Sequence, residues 1–129
     1  LIFIEGYFIY EITMAELTKF EIGQGETFKI NVQLKNQNQN NTPVDITHYE
    51  FLGQVRENYT TDEIAATFTF TKNLPYSSGS LFVELTPTDT LQLTQRSYVY
   101  DVYITSGSVV PVTRRILEGS LVVRPAVTR

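Results

Sequence analysis

Side chains able to do chemistry are few in this sequence. There is one histidine, His48, and no cysteine. A thiolate nucleophile, a thiolate metal site and a disulfide framework are excluded by composition. His48 lies between Thr47 and Tyr49, at the entrance of an expected strand. It has no second imidazole with which to form a metal pair. Acid–base catalysis also needs a positioned partner, so a turn or surface position is expected. No serine occupies a G-x-S-x-G elbow. Gly23-Gln24-Gly25 lacks the third glycine and the strand–helix setting of a phosphate cradle, and reads as a turn before the first strand. Asp62-Glu63 and the more distant Glu84 and Asp89 are the carboxylate pairs. A calcium loop needs several more acids at fixed spacing, so solvated carboxylates are expected. No catalytic, cofactor-binding or metal-ligating residue is assigned.

Asp101 is the charged residue with the most defined expected role. It falls mid-strand, on the face opposite the apolar row Tyr98, Tyr100, Val102 and Ile104. A hairpin turning near Gly107–Ser108 brings it roughly opposite Arg114 or Arg115. Such a cross-strand pair contributes about 0.2–1 kcal/mol and helps fix register. The eight tyrosines are spread over many segments, whereas a stacking platform gathers them on one exposed face. Tyr98 and Tyr100 belong to the core or an interface. Tyr59 and Tyr76, in loops, are the candidate contact residues.

The elements that carry these residues are strands. Phe28, Ile30, Val32 and Leu34 alternate with polar residues, the period of a half-buried strand. Asn36–Pro43 (NQNQNNTP) reads as an exposed loop. Phe51, Gly53 and Val55 share one face of the next strand, with Gly53 marking a bulge or a close backbone approach. Ala66, Phe68 and Phe70 alternate with threonines. Leu81, Val83 and Leu85 mark another strand. Thr86-Pro87-Thr88-Asp89 is a helix start of one or two turns. Ser97–Thr105, Val112–Glu118 and Ser120–Arg124 follow, with a hairpin turn at Ser106-Gly107-Ser108 and a break or bulge at Gly119. About seven short strands spaced by turns predict an all-β, immunoglobulin-like antiparallel sandwich, with a closed barrel as the alternative.

Composition agrees. The chain of 129 residues fits one domain, is 42% hydrophobic, and is rich in the aromatic and β-branched residues that suit a pleated surface. A net charge of −4 argues against sequence-independent nucleic-acid binding. Residues 1–63 hold ten acids and four bases, net −6, whereas residues 64–129 hold four acids and six bases, net +2. Either opposite patches on two copies meet head to tail, or the halves interleave and the asymmetry vanishes in space. Leu1–Thr13 is apolar but too short to span a bilayer and is interrupted by Glu5 and Glu11. It reads as an extension upstream of Met14, or as an arm that adds to an exposed sheet edge. The globular domain is expected over residues 14–129.

Several segments resemble a family of small tailed-phage virion proteins. They are Gln24-Gly25-Glu26-Thr27-Phe28, Pro43-Val44-Asp45-Ile46-Thr47-His48-Tyr49, Ser97-Tyr98-Val99-Tyr100-Asp101-Val102, Val112–Gly119 and Val122-Val123-Arg124-Pro125-Ala126-Val127-Thr128-Arg129, and the resemblance runs from about Met14 to Arg129. His48 stands where the family pattern has glycine. The resemblance implies an Ig-like domain similar to the N-terminal domain of phage baseplate upper proteins. It implies a virion component, assembled in the host cytoplasm, that binds other virion proteins and copies of itself. Tail, baseplate, neck and capsid surface are all compatible positions. No cofactor, nucleic-acid or membrane partner is implied. A carbohydrate-binding module is the alternative from another class.

Overall fold

Alternation of apolar and polar residues is converted directly into two sheets. A computed structural model of the chain describes residues 2–4, 7–9, 16–17, 19–36, 42–107 and 109–128. The strands are β1 (Ile2–Ile4), β2 (Tyr7–Ile9), β3 (Glu16–Leu17), β4 (Phe20–Gly23), β5 (Phe28–Asn36), β6 (Thr42–Pro43), β7 (Tyr49–Arg56), β8 (Ala66–Thr67), β9 (Thr69–Lys72), β10 (Ser80–Leu85), β11 (Ser97–Ser106) and β12 (Thr113–Arg124). One short α-helix, α1 (Pro87–Leu91), and a 3-10 turn over Tyr76–Ser78 join them. One sheet runs β2-β1-β5-β10-β9, with β6 also on β5. The other runs β3-β12-β11-β7-β8, with β4 also on β12. The fold is all-β, and the inner order β5-β10-β9 facing β12-β11-β7 is that of an immunoglobulin-type sandwich. The pairings are antiparallel except that β3 and β4 run parallel to β12.

The core lies between the sheets. Val32, Leu81, Val83 and Leu85 face Val55, Val102, Leu117 and Leu121, each at most 2% exposed. Rings connect the two layers: Phe20 packs on Phe28 and Tyr100 at 5.4 and 5.5 Å, and Phe68 packs on Tyr100 at 6.0 Å. Such contacts add to the burial of large apolar area. Gly53 permits this packing, because a Cβ there would lie 2.9 Å from both the Asp101 carbonyl oxygen and the Phe68 ring. The close approach expected at Gly53 is the structure's solution, with the β7–β11 ladder unbroken across it.

Several expectations are corrected. The segment Ala65–Thr71 does not form one strand. β8 pairs with β7 and β9 pairs with β10, so the chain changes sheets at Phe68. Its inward alternation survives the crossing because Phe68 stays buried. Gly23-Gln24-Gly25 does not precede the first strand, because β4 comes before it; with only four residues, β4 is too short for periodicity to reveal. Gly119 does not end a strand, and β12 runs through it. The irregularity falls instead where Val102 pairs with Leu117 and Tyr103 with Arg115, leaving Ile116 as the extra residue of a β-bulge. In the NQNQNNTP segment, Asn36 and Thr42 are strand partners, while residues 37–41 lie outside the described residues. The hairpin expected at Ser106-Gly107-Ser108 is a longer loop closed by Ser106 and Val112, and Ser108 itself is not described. Within Leu1–Thr13, β1 pairs with β2 and with β5 of the same chain; the rest of that segment lies outside the described residues, as does Met14.

The helical turn follows its sequence signal. Thr86 accepts from the Asp89 backbone N–H at 3.2 Å, and the Asp89 carboxylate accepts from the Thr86 N–H at 3.0 Å, a complete capping box. The turn carries the chain from one sheet to the other and places Thr90 and Leu93 in the core. Thr90 is satisfied by donating to the Glu26 carbonyl at 2.7 Å.

Candidate functional site

Strand pairing decides which charged groups meet. Asp101 stands opposite Glu118, not opposite an arginine, and Arg114 stands opposite Ile104. The longer β11–β12 loop is the main reason: with Thr105 paired to Thr113, both arginines fall nearer the loop than Asp101, and the bulge at Ile116 adds a shift of one residue. The bulge also turns Arg115 to the outer face beside Tyr103 and within reach of both carboxylates. The Arg115 Nε lies 3.7 Å from Asp101, and its guanidinium donates to Glu118 and, at 2.7 Å, to the Tyr103 hydroxyl. The structure thus brings Asp101 and Arg115 together and leaves Arg114 apart. Glu118 and Tyr103, absent from the expected set, complete the cluster; the bulge that recruits them has no signal in the sequence.

The electrostatics are mixed. Burial pushes the Asp101 carboxyl above the ordinary aspartate range, outweighing the pull of Arg115, and the neighbouring Glu118 pushes the same way. Hydrogen bonds to Glu118 and Tyr103 hold Arg115 still more firmly protonated. With its donors engaged by protein acceptors, the cluster ties β11 to β12 and offers little to a ligand.

The remaining candidates are dispersed. His48 is exposed in the β6–β7 connection. Asp89 is engaged in its capping box and Glu84 lies 3.9 Å from Lys29. Among the described residues no group of three or more His, Cys, Asp or Glu is placed to hold a metal ion. No described helix is long and apolar enough to cross a membrane. Tyr98 and Tyr100 are buried; Tyr59 and Tyr76 are 67% and 36% exposed but stand at opposite ends of the sandwich and form no row. The charge asymmetry between chain halves is mixed in space, since β5 lies beside β10 and β7 beside β11, and the pairs Lys29–Glu84 and Arg124–Glu26 cross the halves.

What the fold gathers is apolar surface at its two loop ends. The upper end holds the connections β5–β7, β9–β10 and β11–β12. Ile46 donates to the Tyr76 carbonyl at 3.1 Å, and the backbone at Gly107 lies against His48, so the three connections form one surface. Leu74, Val109, Val110 and Val112 are exposed there. The lower end holds the connections β4–β5, β7–β8 and β10–β11 and residues 125–128, with Tyr59, Ile64, Leu91 and Val127 exposed. Gln24 clamps it: the side-chain amide donates to the Leu91 carbonyl at 2.9 Å and its oxygen accepts from the Ala126 N–H at 3.0 Å. Asp45 organises the upper end similarly, accepting from the Thr47 hydroxyl at 2.5 Å and the Thr47 N–H at 3.0 Å, and these bonds hold its carboxyl below the usual range. Gln24 and Asp45 thus act as the clamp and turn residues of the two ends.

No family model matches the chain, and no curated protein matches it.

Proposed function

We propose that the chain is a non-enzymatic structural protein of a tailed-phage virion, docking in several copies on the tail, baseplate or neck. The observation that carries the docking role is the gathering of exposed apolar side chains on the loop ends of a rigid sandwich. Val109 and Val110 are 102% and 77% exposed on a hairpin whose base is fixed by paired Ser106–Val112 bonds. Apolar groups held out on a pinned loop gain free energy only when something covers them. The virion setting is supported by the segments, in order from Gln24 to Arg129, that resemble small virion proteins.

Mass spectrometry of purified particles, followed by cryo-electron microscopy, tests the reading. The chain is expected in the particle, in several copies, with its loop ends buried against neighbouring subunits. Density on the capsid surface would reassign it as a decoration protein. Absence from purified particles would refute the virion reading.

A further inference from the structure

Nine of the ten large apolar side chains exposed among the described residues stand at the two ends of the sandwich; Leu52 is the exception. The two ends differ in shape. The upper one projects, as the Val109–Val110 tip. The lower one is concave, with a hollow of about 250 Å³ whose walls include Glu57, Glu63, Ile64, Ala65, Gln92 and Tyr98. They also differ in charge. Among the described residues of the lower end Glu26, Glu57, Asp62, Glu63 and Asp89 outnumber Arg56, Arg96 and Arg124, net −2. At the upper end Lys35, Lys72 and Arg114 outnumber Asp45 and Glu50, net +1. Arg114 is exposed just beyond the apolar tip, with no ion pair to any described acid.

We propose that the upper end of one copy docks on the lower end of a second, Val109 and Val110 entering the hollow and Arg114 meeting Glu57 and Glu63. The valines can cover Ile64 and Ala65 in a hollow whose walls are otherwise mostly polar, so it is the opposed charges that fix orientation and suppress the like-ended contact. The two surfaces are different patches, so the contact is heterologous: it continues from copy to copy and gives rings or linear stacks. This deepens the virion reading by naming a second copy as the partner.

Complementary lesions test it. Val110→Asp disables the upper end, and Glu57→Lys with Glu63→Lys disables the lower; these positions are exposed, so the fold is retained. Sedimentation velocity is expected to show concentration-dependent assembly of the wild-type chain. Each variant alone should associate about tenfold more weakly or worse. An equimolar mixture retains one intact end of each kind and should give dimers and nothing longer. Adding Arg114→Glu to the lower-end variant should restore assembly. A wild-type chain that stays monomeric overturns the proposal, as does a variant that assembles like wild type or a mixture that fails to dimerise. Such a failure leaves the virion reading to be judged by the particle composition alone.

Discussion

Replacing Arg115 by methionine removes the cation that stands between two acids while keeping most of its apolar stem. The loss has three parts: the Asp101 and Glu118 pairings, the hydrogen bonds to Tyr103, and new repulsion between acids that are direct strand partners. Cross-strand charge pairs contribute about 0.2–1 kcal/mol each. Arg115 is 41% exposed, so solvent screening places each pair in the lower part of that range. The summed cost is about 1 kcal/mol, which in a domain of this size lowers Tm by roughly 4 °C. Urea denaturation should show that loss at neutral pH and low salt, with the slope unchanged. The penalty should shrink in acid, as the Asp101 carboxyl takes up its proton. In an Asp101→Asn, Glu118→Gln background the same substitution should cost only a few tenths of a kcal/mol, because the pairings and the repulsion are already gone. An equal cost in both backgrounds would refute the electrostatic account and leave only the stem packing.

Three further outcomes follow from contacts described above. Gly53→Ala forces a methyl group against the Asp101 carbonyl and the Phe68 ring, and should destabilise the domain by about 1–3 kcal/mol in urea denaturation. Thr86→Ala removes one half of the capping box and should cost about 0.5–2 kcal/mol, with faster hydrogen exchange confined to residues 87–93. In an NMR titration the Asp45 carboxyl should titrate below the ordinary aspartate range and Asp101 above it. By linkage, Asp45 stabilises above its unfolded pKa and loses this as pH falls through its folded value. Asp101 has the opposite sign: its contribution falls as pH rises through the raised value, and Asp101→Asn should abolish that slope.

Fold class was legible because alternation is a local signal. The rows from Phe28 to Leu34 and from Tyr98 to Ile104 each name their buried face without reference to any partner. What pairing decides was not legible. The switch of sheets at Phe68 leaves its alternation intact, so one strand and two read alike. The bulge at Ile116 is two apolar residues in a row, which a strand end or a slip in register would equally produce. Without that residue Asp101 would stand opposite Leu117 and Glu118 would turn inward; with it, Arg115 and Glu118 share the outer face with Asp101. The loop ends escaped notice for a related reason: Leu74 and Val110 are ordinary apolar residues until three distant connections are brought to one surface.

The parallel pairing of β4 with β12 has a mechanical consequence. Phe20 pairs with Leu121 and Gly23 with Arg124, so the two strands lie side by side and point the same way. Tension applied between the chain before Phe20 and the chain after Arg124 pulls these strands along their own axes in opposite directions. Their hydrogen bonds are then sheared together and share the load, whereas an antiparallel hairpin pulled from its open end unzips bond by bond. Extension in that direction must break this ladder before it reaches the core.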